Sequence, residues 1–381
     1  MYSLSADQLT FVQKARELAQ NVLATHAGDV DEKGRFPTES LAALAEAGFY
    51  GLLIPKELGG QGQSLRVLAA VVDELAQACA STAMIYMMHN SAVNCYLAEP
   101  EKFADVLKDA AMGRHLGTLA FSEKGSRSQF WAPVSRAVSA SGGVTLSAQK
   151  SWVTSAGHAD GIVASCISAD GSGAAVYLVK KNDGGLSITG GWNGLGMRGN
   201  QSNPMTLEDV DLGDERLIGE AGKGADIMLG KALPVFQLCQ GAIGVGVAEA
   251  AFQAAQKHIT AVGFEHTGTK LSDLPNLRAA LAEMRLEVDK ARAYLVAVVG
   301  KLEAGDADAM LHVLALKASS AETAVKVSDL AMRACGGAAF SKHLGLERAF
   351  RDARAAIVMA PTTDHLREFV GRLLVGLPLF G

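Results

Sequence analysis

Between Leu277 and Leu302, apolar residues recur at a strict four–three spacing: Leu277, Leu281, Met284, Val288, Ala291, Leu295, Val298 and Leu302. On a helix that repeat draws one continuous apolar stripe, which is stable only against partner helices. The last part of the chain is therefore expected to be a helical bundle, completed by its own helices or by another subunit. The middle cannot continue it. From Leu116 the texture is short β-type runs: Ser139-Ala140-Ser141 and Val144-Thr145-Leu146 flank Gly142-Gly143, and the turn dipeptides Asp170-Gly171 and Asp183-Gly184 follow. The first third is helical again. Ser5 and Gln8 form a capping-box pattern ahead of Phe11, Ala15, Leu18 and Val22 on one face; Pro37-Thr38-Glu39-Ser40 and Gly48 bracket a second helix; Ser64 to Leu97 reads as two abutting helices. The expected fold is α+β: an N-terminal all-α domain over residues 1–114, a small middle β domain over 115–215, and a C-terminal helical bundle over 216–381.

With 381 residues, 49% of them hydrophobic and 20% charged, the chain can bury a large core in two or three packed units. A net charge of −5 without a basic block argues against nucleic acid or an anionic membrane as partner and favours a small molecule. The N-terminus lacks the basic and apolar regions of a signal peptide, and charges are expected to break the apolar helices short of membrane-spanning length, so the cytoplasm is the expected compartment. Cysteines 79, 95, 166, 239 and 335 contain no Cys-x-x-Cys pair and point to reduced, buried thiols with neither a disulfide framework nor a metal site. Gly244 and Gly246 lie inside a helical pattern with no strand before them, which predicts close helix packing, not a dinucleotide fingerprint.

Several segments, in order, go further. They are Leu53-Ile54-Pro55-Lys56-Glu57-Leu58-Gly59-Gly60-Gln61-Gly62, Lys150-Ser151-Trp152-Val153-Thr154, and Gly196-Met197-Arg198-Gly199 ahead of Leu207-Glu208-Asp209-Val210. Near the end stand Cys335-Gly336-Gly337-Ala338-Ala339-Phe340, then Leu346 to Arg354, then Met359-Ala360-Pro361-Thr362-Thr363-Asp364. Over nearly its whole length the chain resembles the acyl-CoA dehydrogenase family of flavoproteins. The resemblance implies FAD as cofactor, an acyl-CoA or other acyl thioester as ligand, an electron-transfer flavoprotein or reductase as redox partner, and a homo-oligomer, dimer or homotetramer.

It also implies site residues. Phe121, Ser122 and Ser128, on the loop that carries Glu123 and Lys124, and Trp152, Val153 and Thr154, on a strand, match segments that face the flavin ring. Gly336 and Gly337 match the family's Gly-Gly turn, and Thr362 and Asp364 match positions against the dinucleotide half. Arg333 replaces a family Gln and either offers a planar fork to phosphate oxygens or caps the end of its helix. Phe264 stands where the family has an Arg that reaches the neighbouring subunit's pyrophosphate.

The departure that bears on chemistry is Ala360, in the place of the family's catalytic Glu. Desaturation of an acyl thioester needs a carboxylate to take the α-proton and donors to polarise the carbonyl. Only the backbone N–H of Ala360 remains of that pair. The alternative base position falls on Pro234, next to Val235, and holds no carboxylate either. Candidate substitutes are Asp364, Glu123 and His89, each with an ordinary structural reading beside it: a first-turn helix carboxylate, a loop residue, and a core histidine. Three functions stay open: an acyl-CoA dehydrogenase-type flavoenzyme, a flavin-dependent monooxygenase of the same fold, and a non-redox acyl-CoA-binding relative.

Overall fold

The computed structural model describes residues 2–127 and 129–380. The N-terminal helices are α1 (Ala6–Leu18), α2 (Ala24–Lys33), α3 (Thr38–Glu46), α4 (Leu65–Ala78), α5 (Ala80–Tyr96) and α6 (Ala104–Ala111). The capping box forms as expected: Ser5 Oγ accepts from the Gln8 N–H at 3.3 Å and Gln8 Oε1 from the Ser5 N–H at 3.0 Å.

The middle region holds β1 (Gly117–Ala120), β2 (Ala137–Ala140), β3 (Gly143–Val153), β4 (Gly161–Ile167), β5 (Ala174–Lys180), β6 (Leu186–Ile188) and β7 (Asn203–Gly213). They form two sheets, ordered β1-β4-β5 and β2-β3-β7-β6. Alternate side chains such as Leu146, Val153, Ile162, Tyr177 and Val210 make a core of their own.

The C-terminal part holds α7 (Gly224–Ile227), α8 (Leu233–Ala261), the two-stranded hairpin β8 (Gly263–Phe264) and β9 (Thr269–Lys270), α9 (Pro275–Ala304), α10 (Ala309–Cys335), α11 (Gly337–Phe340), α12 (Leu346–Val358) and α13 (Thr363–Leu374). This bundle is not separate from the N-terminal helices: Val71 and Leu75 of α4, Leu238 and Val245 of α8 and Leu316 of α10 share one core. Glycine makes the crossing possible. A Cβ at Gly246 would come within 2.5 Å of the Asp73 carbonyl, and one at Gly244 within 2.9 Å of that of Ser320. Across the same crossing Arg292 bridges Asp73 at 2.9 Å and Glu249 at 2.8 Å. Burial alone would raise Glu249, but Arg292 and Arg285 hold it below the ordinary carboxylate range.

One open alternative is resolved and one expectation is corrected. The stripe on α9 is covered by its own chain from Met284 to Val299, packed with Ala248, Val327 and Ala331 at one end and the main core at the other, so there its partners are helices of the same chain. And a stretch of membrane-spanning length and hydropathy does exist: an 18-residue window within Gly224–Ala261 reaches a mean hydropathy of 1.4, because its apolar residues face other helices, and 89% of that window is buried.

Candidate functional site

A cavity of about 710 Å³ opens where the two sheets of the middle region meet α5, α8 and α12. Strand β3 supplies its most conspicuous side chain through a local irregularity. Opposite β7, Lys150 pairs with Met205 but Val153 with Asn203, so one extra residue is accommodated in β3. Such a bulge re-aims a side chain. Trp152 adopts φ +57°, a left-handed conformation rare for a bulky residue, and its indole is 67% exposed toward the cavity. Val153 points the other way, into the β core, while Thr154 lines the cavity and its hydroxyl meets Ser202 Oγ at 3.1 Å.

The loop beside the strand is held by a buried charge pair. Glu123 accepts from Lys150 Nζ at 2.7 Å, from the Val134 N–H at 2.5 Å and from the Ser135 N–H at 2.8 Å. Its hydroxyl partner is Ser135. Burial works against the charge, but Lys150 and these donors hold the Glu123 carboxyl below its ordinary range. Every lone-pair direction of Glu123 is thus engaged in fixing the loop, and it is not free to take a substrate proton. It is the sole carboxylate among the described residues that line the cavity. Phe121 and Ser122 line the cavity from this loop; Ser128 lies outside the described residues.

The opposite wall is the turn after α12, where Met359 and Ala360 line the cavity. Beneath it sits a fully buried lysine, Lys317 of α10, whose Nζ donates to the carbonyls of Met359 at 2.7 Å and Pro361 at 2.5 Å. Gln240 of α8 donates to the Met359 Sδ at 3.0 Å. The Ala360 N–H has no acceptor among the described residues. Between the walls, Met84 and Met88 of α5 and Phe236 of α8 complete an apolar interior.

A Gly-rich segment lines the mouth. Trp192 packs edge-on against Trp152 at 5.8 Å and donates through Nε1 to the Met197 carbonyl at 3.0 Å. The Met197 N–H in turn donates to Asp352 of α12 at 2.5 Å, and burial pushes that carboxyl up to about 6. Arg351, beside it, is paired with Asp31 and Glu347, whereas Arg354 stacks on Phe350 at 3.7 Å and donates to the Ser328 hydroxyl and the Phe350 carbonyl, each at 3.2 Å. Arg354, Lys124 and Arg127 therefore bring positive charge without a carboxylate partner among the described residues to the cavity wall.

Other expected site residues lie elsewhere. His89 is fully buried in α5 and does not line the cavity. Its Nδ1 accepts from the Gly117 N–H at 3.1 Å, so Nε2 carries the proton and donates to the Tyr50 carbonyl at 2.8 Å. Burial lowers its pKa to about 4, and the ring stays neutral as a link between α5, β1 and the loop at Tyr50. Neither nitrogen is left for acid–base work. Asp364 is exposed in the first turn of α13, 3.5 Å from Arg367, and Thr362 caps that helix by accepting from the His365 N–H at 3.3 Å. Arg333, Gly336 and Gly337 form an exposed surface at the end of α10, outside the cavity lining, with Gly336 at φ +55°. Phe264 sits on the exposed β8–β9 hairpin.

For the flavin implied by the resemblance, the residues present fit. The cavity offers a bare indole, an apolar interior, the hydroxyls of Ser122 and Thr154, an unclaimed N–H at Ala360 and partnerless cations at the wall.

Comparison with known proteins agrees. Models of the acyl-CoA dehydrogenase N-terminal, middle and C-terminal domains match residues 5–105, 118–210 and 222–375. Probable acyl-CoA dehydrogenase fadE25 of Mycobacterium leprae is 28% identical over 94% of this chain and 93% of its own length. The structure of butyryl-CoA dehydrogenase from Megasphaera elsdenii superposes with a TM-score of 0.92 at 21% identity, covering 98% of this chain and 99% of that one. A structure of PigA with FAD and proline does so with a TM-score of 0.90 at 20% identity, over 98% and 99%. With all three domains matched in order, this chain belongs to the acyl-CoA dehydrogenase family.

Proposed function

We propose that the protein is a FAD-dependent oxidoreductase acting on the CH–CH group of an acyl thioester, with the cavity between the middle domain and the bundle as its site. One observation carries the reading: Trp152 on its bulged strand and Ala360 with its unclaimed N–H line the same apolar cavity. Bound FAD would supply the hydride acceptor for the β-carbon. The chain's part is to seat and polarise. Phe121, Ser122, Trp152 and Thr154 hold the ring, with Val153 and Ser128 contributing through strand and loop. The Ala360 N–H donates to the thioester carbonyl. Arg333, Gly336, Gly337, Thr362 and Asp364 serve the dinucleotide half at the surface, where a second copy would complete the site. Phe340, 84% exposed beside them, supports that assembly, a homodimer or homotetramer in the cytoplasm, with an electron-transfer flavoprotein or reductase as redox partner.

On this reading Ala360 stands in the place of the catalytic Glu, and neither Glu123 nor Asp364 replaces it. A cavity with no free carboxylate among its described residues favours a second reading, a flavin-dependent monooxygenase of the same fold. The visible spectrum of the purified protein, followed by anaerobic titration with butyryl-, octanoyl- and palmitoyl-CoA, decides among the readings. A flavin spectrum that bleaches supports the dehydrogenase; a flavin that binds but never bleaches favours the monooxygenase; a colourless protein that takes up no FAD leaves a non-redox acyl-CoA-binding relative.

A further inference from the structure

The Met359–Pro361 turn is not held as a helix end ordinarily is. A lysine near a helix C-terminus usually meets the last helical carbonyls, but α12 ends at Val358 and Lys317 reaches past it to the carbonyls of Met359 and Pro361. Those two residues flank Ala360. The lysine is fully buried, its Nζ lies over the Phe236 ring at 6.0 Å, and its pKa is lowered to about 7 by burial, with no carboxylate acting to raise it. A buried cation without a counter-charge is costly, so its site has to compensate through hydrogen bonds. Gln240 grips the Met359 thioether from α8, and the Thr362 hydroxyl receives the next helix. Every residue from 359 to 362 is thereby held by its own atoms except Ala360, which faces the cavity.

We infer that Lys317 is a positioning residue, a clamp that draws both flanking carbonyls into the bundle and so presents Ala360 and its N–H to the cavity. A donor with several hydrogens is needed because two acceptors two residues apart, Met359 and Pro361, must be gripped from one point. The clamp itself is independent of the reaction; its consequence for an acyl thioester rests on the function proposed above.

The test uses hydrogen–deuterium exchange of full-length wild type, Lys317→Met and Lys317→Gln, read by mass spectrometry on peptides covering 355–365. Either variant should raise exchange there by about tenfold or more, since Met donates nothing and the Gln amide ends one bond short of the place Nζ occupies, while α8 and α9 stay as protected as in wild type. Unchanged exchange at 355–365 overturns the clamp, and so does a rise spread evenly over the bundle. In a second arm, anaerobic titration of the flavin-loaded proteins with octanoyl-CoA should perturb the flavin spectrum of wild type and of Lys317→Arg. Lys317→Met should keep its flavin but need about tenfold more ligand. A wild-type protein indifferent to every acyl-CoA, with the exchange pattern as expected, sinks the thioester reading and leaves the clamp standing.

Discussion

Two fully buried lysines stand behind opposite walls of one cavity, and they are satisfied in different ways. Lys150 meets a carboxylate, Glu123, at 2.7 Å and a carbonyl, that of Ser165, at 2.5 Å. Lys317 meets two carbonyls and no carboxylate. The first wall is fixed by a charge pair that leaves nothing titratable to spare; the second is fixed by dipoles around a cation whose proton is loosely held. A rigid wall carries Trp152, and a wall gripped through its backbone carries Ala360.

The largest expected effect comes from giving the second wall the acid group it lacks. Ala360→Glu combined with Pro361→Gly, which frees the turn, should speed anaerobic flavin reduction by saturated acyl-CoA about 10²–10⁴-fold, the usual range for a general base. A variant that binds FAD and acyl-CoA and reduces no faster removes the dehydrogenase reading of that position. Next, Lys150→Met strands Glu123 as a buried charge and should cost about 3–5 kcal/mol in denaturant unfolding.

Lys317→Met should cost less, about 1–3 kcal/mol for two carbonyls left without their donor, and the cost should depend on pH. Burial depresses the folded-state pKa of Lys317 to about 7 from 10.5, so the folded chain binds fewer protons than the unfolded one between those values. Wild-type stability therefore gains as pH rises from about 7 toward 10.5, and that share is lost as pH falls through about 7. The gap between wild type and Lys317→Met should widen from pH 6 to pH 9. A gap that is flat with pH contradicts the assignment of a depressed Lys317. The smallest effect is expected at the mouth, where Trp192→Ala removes an edge-on aromatic contact worth about 0.5–1.5 kcal/mol and should weaken flavin retention several-fold by equilibrium dialysis.

Much of this was legible in the sequence wherever the signal is local. The Ser5–Gln8 cap, the two abutting helices to Leu97, the hairpin at Gly142-Gly143 and the close-packing glycines of α8 follow from residues adjacent in the chain or one helical turn apart. The cavity positions Phe121, Ser122, Trp152, Thr154 and Ala360 were legible through family resemblance. What escaped is non-local. Lys317, in Leu316-Lys317-Ala318, reads as an exposed helix charge until a turn 42 residues later is packed over it. His89 and Glu123 looked like available acid–base groups because nothing in their own segments announces Tyr50, Gly117 or Ser135 as partners. The bulge that turns Trp152 outward depends on the register of β7, and the burial of Gly224–Ala261 on helices from both ends of the chain. Trp192 carried a weak signal, an aromatic inside Gly190-Gly191-Trp192-Asn193-Gly194, where a bulky residue among glycines has little local reason to stand.

The most direct measurement is the visible spectrum of the purified protein before and after anaerobic addition of octanoyl-CoA, in wild type and in Trp152→Ala. The cavity described above requires a flavin spectrum in wild type that responds to the acyl-CoA, and a marked loss of flavin from Trp152→Ala on gel filtration. A wild-type protein that takes up no FAD, or a Trp152→Ala variant that keeps it as tightly as wild type, would contradict the assignment of this cavity as the flavin site.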